Sequence, residues 1–304
     1  MSWRKRIMLI VIAVLALAAL AGFFTARFTL GNRRQTLEEA RAWQEGHYDL
    51  SWYDPLAKAD YSVESFDGYS LHVQLLKNPA DAGKYVLISH GYTDNRYGAL
   101  KYAKLYLDLG FHVIVYDLRG HGLNEPALCT WSARERKDLK ALIEDSRRRY
   151  RDIKLFGIHG ESLGAATTVA VLEENLPVDF AVADCGFADI SGVLKNGAKS
   201  LHVPAFLVDL ASPWTKLLCG YSYSKMRPID SLKNSRVPIL FIHGAEDSLI
   251  PPSHSERMFE AAQCAEPVYL VPGAGHALSV LTDPEGYRDR VTSFLSSLHA
   301  GRGE

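Results

Sequence analysis

Residues 153–170 read IKLFGIHGESLGAATTVA, and this stretch decides the fold. Its first seven residues are mostly apolar and have the length of a buried strand, whereas the residues from 162 onward have helical character. Between the two lies Gly160-Glu161-Ser162-Leu163-Gly164. The glycines predict a sharp turn whose neighbours pack too closely for a Cβ atom. We therefore expect a strand, a strained turn that presents Ser162, and a helix of small residues.

The same alternation of apolar runs and helical segments extends on both sides of this turn. Runs that are apolar on consecutive residues are typical of parallel strands covered on both faces. Residues 60–66 and 69–76 instead alternate around Asp67-Gly68, which predicts a hairpin. We therefore expect an α/β fold with a mostly parallel, doubly wound sheet. The other predicted strands are residues 85–89, 112–116, 181–184, 238–243 and 268–271.

The predicted helices lie between these strands. Ser132-Ala133-Arg134-Glu135 has the pattern of a capping box at the start of a charged helix that ends near Tyr150. Residues 187–227 carry no strand signal and are apolar, with helical character where it can be read. We expect them to form a small helical cap over the carboxyl edge of the sheet. The other predicted helices are residues 98–109, 162–175, 253–264 and 286–299.

Ser162 is a candidate nucleophile because of its position at the turn. A helix that begins directly after it offers unpaired N–H groups and a positive dipole end to a developing oxyanion. A serine hydroxyl also needs a base that takes its proton. His276 directly follows the glycine-rich segment 272–275, which comes just after the last predicted strand. Catalytic groups collect at this edge of such sheets, so His276 is the candidate base.

The carboxylate that orients this base should lie between the two in the chain. Asp247 follows the strand predicted at residues 238–243 and fits this position. Glu246 and Asp184 are the alternatives. We expect Glu246 to point away from the site, and Asp184 ends an earlier strand.

The order Ser162, Asp247, His276 is that of the α/β-hydrolases. Residues 61–298 resemble this superfamily, specifically its small-cap serine hydrolases with an N-terminal membrane segment. The resemblance also rests on two loop motifs, His90-Gly91-Tyr92 after the third strand and the segment 117–122 after the fourth, which reads DLRGHG.

The resemblance implies an activity and a set of roles. Ser162, His276 and Asp247 would form a catalytic triad, with the backbone N–H groups of Tyr92 and Leu163 as the oxyanion hole. The expected reaction is hydrolysis of a small acyl ester or lipid-like substrate through an acyl-enzyme, without a cofactor or metal. The same residues would also serve a peptidase, a thioesterase or a lipase. A non-catalytic, membrane-anchored interaction module is a further alternative, although a complete triad argues against it.

Several other polar residues are expected to be structural. Asp117, Arg119 and His121 belong to a glycine-rich turn, and His90 and His243 are expected to hold loops by hydrogen bonds. The sequence has no H-E-x-x-H motif, P-loop or complete G-x-G-x-x-G motif, so metal-dependent hydrolysis and nucleotide binding have no support.

The N-terminal segment is long and apolar enough to cross a membrane. Residues 7–26 contain no charge and would form about 30 Å of helix, the thickness of the hydrocarbon core. The basic residues 4–6 favour a signal-anchor, with a single pass and the globule on the extracytoplasmic side. A signal peptide cleaved after Ala19-Leu20-Ala21, followed by secretion, is the alternative, and a buried soluble helix is a third. Because every motif lies beyond residue 85, we expect a chain that lacks the residues up to about 34 to stay active.

The predicted organisation has three parts. Residues 1–31 are the cytoplasmic tip and anchor, residues 32–58 a juxtamembrane connector, and residues 59–300 the hydrolase domain. The connector is rich in aromatic residues, which would lie either at the membrane interface or against the globule. They are Trp43, Tyr48, Trp52 and Tyr53.

Composition limits the remaining possibilities. Of the 304 residues, 47% are hydrophobic and 23% charged, which excludes a disordered chain and a multi-span membrane protein. The net charge of -1 gives no reason to expect nucleic-acid binding. The four dispersed cysteines contain no C-x-x-C pair, so we expect reduced core residues rather than a metal or redox site. They are Cys129, Cys185, Cys219 and Cys264. Nothing in the sequence indicates the oligomeric state.

Overall fold

The computed structural model describes residues 1–31, 34–80, 82–263 and 265–300. For residues 299 and 300 it describes the backbone only. In this part of the chain eight strands form one sheet. They are β1 (Lys58–Glu64), β2 (Ser70–Leu76), β3 (Lys84–Ser89), β4 (His112–Tyr116), β5 (Leu155–Glu161), β6 (Phe180–Asp184), β7 (Ile239–Gly244) and β8 (Ala265–Val271). Their order in the sheet is β1-β2-β4-β3-β5-β6-β7-β8. Strands β3 to β8 are parallel, and β1 and β2 add an antiparallel hairpin at one edge. This confirms the predicted α/β-hydrolase architecture.

Helices cover both faces of the sheet. They are α1 (Trp3–Leu30), α2 (Leu37–His47), α3 (Leu100–Asp108), α4 (Glu135–Arg149), α5 (Leu163–Val171), α6 (Ile190–Ser200), α7 (Phe206–Cys219), α8 (Ser253–Ala261), α9 (Ser279–Thr282) and α10 (Pro284–Ala300). Side chains alternate between two hydrophobic cores, with Leu87 of β3 on one face and Val86 and Ile88 on the other. This double burial explains why the parallel strands read as continuous apolar runs.

The capping box predicted at Ser132 is wrong. Ser132 has a φ of +83°, and α4 begins only at Glu135. The Glu135 carboxylate accepts hydrogen bonds from the backbone N–H and the hydroxyl of Thr130, at 2.7 and 2.6 Å. The hydroxyl oxygen of Thr130 in turn accepts the N–H of Arg134 at 2.8 Å. Thr130 rather than Ser132 therefore bonds the start of α4, because the turn before the helix places Thr130 next to Arg134 and Glu135.

The segment predicted as a cap is helical and lies between β6 and β7. It comprises α6, α7 and a 3-10 turn at Tyr223–Lys225. Helix α7 packs against the second half of α1. A Cβ atom on Gly22 would lie 2.4 Å from the carbonyl oxygen of Leu210, so only glycine allows this approach. Ala26 and Leu30 of α1 are fully buried, and the last turns of α1 are therefore part of the hydrophobic core.

The predicted connector forms α2 and packs on the globule. A capping box begins this helix, in which Thr36 and Glu39 bond each other's backbone N–H groups. Trp52 packs against Tyr53, whose ring contacts Tyr97 of the loop before α3. The aromatic residues of the connector therefore contact the globule, which was one of the two expectations.

Three of the four cysteines are buried free thiols, as expected. They are Cys129, Cys185 and Cys219. Cys264 lies outside the described residues.

Candidate active site

The turn between β5 and α5 holds Ser162 in a strained conformation. Ser162 has a φ of +53° and a ψ of -112°, and its N–H donates to the carbonyl of Asp184 at 2.9 Å. A Cβ atom on Gly160 would lie 2.2 Å from the carbonyl oxygen of Gly164, and one on Gly164 would lie 2.1 Å from that of Ser89. Both glycines are required by backbone contacts, which explains the predicted turn.

Ser162, His276 and Asp247 are brought together by hydrogen bonds. His276 Nε2 lies 2.9 Å from Ser162 Oγ, and His276 Nδ1 lies 2.6 Å from Asp247 Oδ2. The three residues come from the turn after β5, the loop after β8 and the loop after β7. The carboxyl ends of these parallel strands meet at one edge of the sheet.

The loops that carry Asp247 and His276 are fixed to each other. The Glu246 N–H donates to the carbonyl of Ala274 at 2.9 Å. A Cβ atom on Gly244 would lie 2.4 Å from the same oxygen. The backbone of the two loops therefore sets the spacing of the carboxylate and the imidazole.

Asp247 is buried and ionised. Its Oδ1 accepts the N–H groups of Leu249 and Ile250 at 3.0 and 2.9 Å. Burial alone would raise the pKa of Asp247, but hydrogen bonds from His243 and His276 outweigh it and hold the pKa well below its usual range. A buried carboxylate with this low pKa can keep the Nδ1 proton of His276 in place.

The two alternative carboxylates have other positions. Glu246 is exposed to solvent. Asp184 is buried and lies 3.0 Å from the hydroxyl of Tyr102 and 3.1 Å from that of Ser279. Among the three candidates, Asp247 is the one that bonds His276.

The loop after β3 approaches Ser162 closely. A Cβ atom on Gly91 would lie 3.6 Å from the Cβ of Ser162 and 2.9 Å from Oε1 of Glu161. Tyr92, the next residue, lines the same cavity as Ser162. Leu163 is the first residue of α5, so its N–H has no acceptor within the helix. Both predicted oxyanion donors therefore lie near Ser162, Leu163 as the next residue in the chain and Tyr92 across the same cavity.

His90 holds this loop, as predicted. Its Nε2 accepts the N–H of Leu118 at 2.9 Å, and its Nδ1 donates to the carbonyl of Gly91 at 2.7 Å. Burial lowers the pKa of His90 to about 4, so the ring is neutral at pH 7. The neutral tautomer links the loop after β3 to the loop after β4.

Asp117, Arg119 and His121 form contacts within these loops, as expected; His121 Nδ1 lies 3.0 Å from the carbonyl oxygen of Arg119. Asp117 accepts the N–H groups of Arg96 and Leu123 at 2.8 and 3.0 Å. Arg119 forms ion pairs with Asp67 and Asp138 at 2.8 and 2.6 Å.

His243 also holds a loop, as expected. Its Nε2 lies 2.7 Å from the carbonyl of Ile250, and its Nδ1 bonds the hydroxyl of Ser255 at 2.7 Å.

A cavity of about 190 Å³ opens beside Ser162. The connector contributes Gln35 and Trp43 to its wall, the loop after β3 contributes residues 91–94, and the loop after β8 contributes residues 276–278. Among the described residues that line it, none belongs to the cap at residues 187–227.

A charged group in this cavity was missed by the sequence analysis. Lys101 of α3 forms an ion pair with Glu161 and donates to the carbonyl of Ala277 at 2.9 Å. Burial, together with the charge of Glu161, raises the pKa of nearby Asp94 to about 6. Lys101 lies in an amphipathic helix, and Glu161 occupies a variable position of the G-x-S-x-G motif. Neither residue therefore carries a local sequence signal that would place it in the cavity.

Cys185 is the other buried group at the site. Its Sγ lies within 4.8 Å of donor atoms of Asp247 and His276, a spacing that a metal ion could use. Burial raises the pKa of this thiol well above its usual value, so it is neutral. Since Asp247 and His276 already bond each other, the group fits a hydrogen-bonded pair better than a set of metal ligands.

Known proteins are similar to this chain in sequence and in fold. The model of the prolyl oligopeptidase family matches residues 99–297. YqkD of Bacillus subtilis is 29% identical over 304 residues, which cover 97% of this chain and 98% of YqkD. YNL320W, an uncharacterized membrane protein of Saccharomyces cerevisiae, is 25% identical over 196 residues, which cover 62% of each chain. The solved structure of the esterase Pf2001 of Pyrococcus furiosus gives a TM-score of 0.67 at 24% identity, covering 80% of this chain and 92% of that chain.

The family match covers more than half of the chain, including Ser162, Asp247 and His276. The likeness to Pf2001 independently supports the fold. We conclude that the chain is a serine hydrolase of the prolyl oligopeptidase family, a member of the α/β-hydrolase superfamily.

Proposed function

We propose that this protein hydrolyses carboxylic esters with Ser162, His276 and Asp247 as its catalytic triad. The observation that carries the proposal is the hydrogen-bonded chain from Ser162 Oγ through His276 to Asp247, at 2.9 and 2.6 Å. These distances allow the proton transfers that ester hydrolysis needs.

The reaction follows from these positions. Ser162 Oγ attacks the acyl carbonyl carbon while its proton passes to Nε2 of His276. The backbone N–H groups of Tyr92 and Leu163 stabilise the oxyanion. The C–O bond to the alcohol then breaks, and His276 returns its proton to the leaving alkoxide. Water, deprotonated by His276, attacks the acyl carbonyl carbon of the acyl-enzyme. The bond to Ser162 Oγ breaks and His276 gives its proton to this oxygen, which releases the carboxylic acid and restores Ser162.

Short acyl groups fit the site best. The cavity of about 190 Å³ is smaller than the roughly 300–1,000 Å³ of typical ligand pockets. Each methylene contributes at most about 0.8 kcal/mol of burial, and only while the pocket has room. We therefore expect kcat/KM to be higher for acetate-to-octanoate p-nitrophenyl esters than for palmitate. A steady rise up to palmitate would instead indicate a lipase.

A peptidase is the second candidate, because the matched family is that of prolyl oligopeptidase. The triad serves esters, thioesters and amides alike, so substrate comparison decides. The experiment measures cleavage of p-nitrophenyl butyrate, a thioester and p-nitroanilide peptides by the full chain in detergent. Turnover of peptides or thioesters without any ester turnover would refute the esterase proposal.

A fluorophosphonate probe separates an enzyme from a non-catalytic interaction module. The full chain should be labelled, and Ser162→Ala should abolish both labelling and ester turnover. Ser200→Ala, which changes an exposed serine of α6, is the matched control and should leave both intact. Labelling that persists in Ser162→Ala would show that another residue is the nucleophile.

We further propose that residues 7–26 anchor the chain in a membrane, with the hydrolase domain on the extracytoplasmic side. Helix α1 is 28 residues long and has a mean hydropathy of 3.0 in its most apolar window, and a similar yeast protein is described as a membrane protein. The chain should stay in the membrane fraction after carbonate washing. A mature chain that begins at Gly22 would instead show a cleaved signal peptide.

A further inference from the structure

Helix α7 of the cap packs against the second half of the N-terminal helix α1. Gly22 of α1 packs against Leu210 and Trp214 of α7, and the ring of Phe23 lies 5.4 Å from that of Trp214. Ala18 and Ala26 lie one turn before and one turn after Gly22, so small side chains face α7. This close backbone contact fixes α7 relative to α1.

The two helices run in the same direction. The C-terminal ends of both meet the loop before α4, at residues 129–134. The carbonyl of Leu30 accepts the N–H of Cys129 at 2.9 Å, and the carbonyl of Cys219 accepts a bond from Arg134 at 3.2 Å. The N-terminal end of α7 therefore points back along α1, toward the middle of its apolar stretch.

This register places the start of α7 at membrane depth. Phe206 precedes Leu210 by one turn, so it lies about level with Ala18. At 1.5 Å per residue, Ala18 is about 12 Å inside the end of the apolar stretch at Ala26. One leaflet of the hydrocarbon core is about 15 Å thick. If residues 7–26 span the bilayer, the start of α7 cannot remain in water.

Most exposed side chains of the cap at this level are apolar, and His202 is the polar exception. Leu201, Val203 and Phe206 are 71%, 41% and 59% exposed. Asp209 is the charged residue of this part of α7, and Lys195 neutralises it at 2.6 Å.

Cations follow where the helices leave the apolar stretch. Arg27 of α1 and Lys216 of α7 are both exposed in the last turn of their helix. Their long side chains suit the head-group region.

We propose that the start of α7 and the turn before it, residues 201–210, are embedded in the hydrocarbon of the leaflet from which α1 emerges. The bilayer then covers the apolar face of the cap, and the hydrolase domain is held at a fixed height and orientation. This inference rests on the proposed membrane anchor and not on the ester specificity.

The experiment measures the depth of single positions in the full chain, reconstituted in phosphatidylcholine vesicles. Phe206→Cys, Leu217→Cys and Ala80→Cys are each labelled with an environment-sensitive fluorophore. Ala80 is exposed beyond the end of β2, at the sheet edge opposite the cap, and is the control. The unsubstituted protein gives the background.

The label at 206 should emit at shorter wavelength and be quenched most by a nitroxide in the middle of the acyl chain. The label at 217, eleven residues later and so about 16 Å shallower, should be quenched more by a head-group nitroxide. The label at 80 should be quenched only by aqueous iodide. Leu201→Cys provides a second deep position should Phe206→Cys fail to fold.

Three results would overturn the proposal. Iodide quenching at 206 equal to that at 80, in protein that resists carbonate washing, would place the cap in water. A label at 206 shielded from both nitroxides and iodide would show that protein, such as a second copy, covers this face. Release of the chain by carbonate would remove the anchor itself. Because the readout is fluorescence, failure of the ester assignment would not affect it.

Discussion

Replacing Asp247 by asparagine tests the proposed orienting carboxylate with almost no change in shape. Oδ1 of Asp247 accepts two backbone N–H groups, from Leu249 and Ile250. The asparagine carbonyl will keep these bonds, so its NH₂ group must face His276. An NH₂ donor at this position forces Nδ1 of His276 to accept and moves the ring proton to Nε2. The imidazole then has no lone pair for the Ser162 hydroxyl.

The expected loss in kcat is about 10⁴-fold, the scale for a histidine held in the wrong tautomer. At about 1.36 kcal/mol per tenfold change, this is about 5.4 kcal/mol of transition-state stabilisation. The assay compares kcat for p-nitrophenyl butyrate between Asp247→Asn and the unsubstituted chain. Circular dichroism and thermal unfolding verify that the variant is folded.

Glu246→Gln is the matched control, since this neighbouring carboxylate is exposed. It should change kcat less than about threefold, as befits a surface substitution. A folded Asp247→Asn that retains more than a tenth of the activity, or a Glu246→Gln that loses as much, would refute the reasoning about the carboxylate.

Three further predictions concern stability. Deleting residues 1–17 should leave the globule intact. Deleting residues 1–34 removes the buried end of α1 and should lower the free energy of unfolding, measured by urea titration, by about 3 kcal/mol or more. Equal stability of the two truncated chains would contradict this. Gly164→Ala should abolish soluble folded protein, because its Cβ atom would lie 2.1 Å from the carbonyl oxygen of Ser89. The control is Gly197→Ala in α6, whose Cβ atom would have no neighbour within 4 Å. This control should raise the melting temperature slightly, because alanine favours a helix more than glycine does. Burial lowers the pKa of His159 to about 3, below its unfolded value of about 6.5. Its contribution to stability is therefore complete above pH 6.5 and is lost by about 1.4 kcal/mol per unit as the pH falls toward 3. His159→Phe should flatten this slope, and His47→Asn, which changes an exposed histidine of α2, should not.

The elbow could be predicted because its geometry is local. A serine between two glycines, after a strand and before a small-residue helix, leaves few other conformations. Asp247 and His276 could be located because each follows an apolar run, and parallel strands end at one edge. The chain order of the three residues then narrowed the fold to one family.

Other features depend on contacts between distant segments and have no local signal. Lys101 and Glu161 lie 60 residues apart in the chain, and their pairing depends on how α3 packs beside β5. The capping prediction failed because Thr130, two residues before Ser132, forms the hydrogen bonds at the start of α4. The burial of Leu30 in the globule could not be predicted, because the composition of the whole helix α1 is typical of a membrane helix.

The connector also forms part of the cavity wall, through Gln35 and Trp43. The proposed anchor, the connector and these two wall residues are thus consecutive parts of one segment. A chimera joined at residue 58, with a foreign anchor or an affinity tag in front, would retain the triad and lose that wall. We therefore expect replacement of the connector to change the range of substrates, and a domain that begins after residue 58 to have a wider cavity mouth than the full chain.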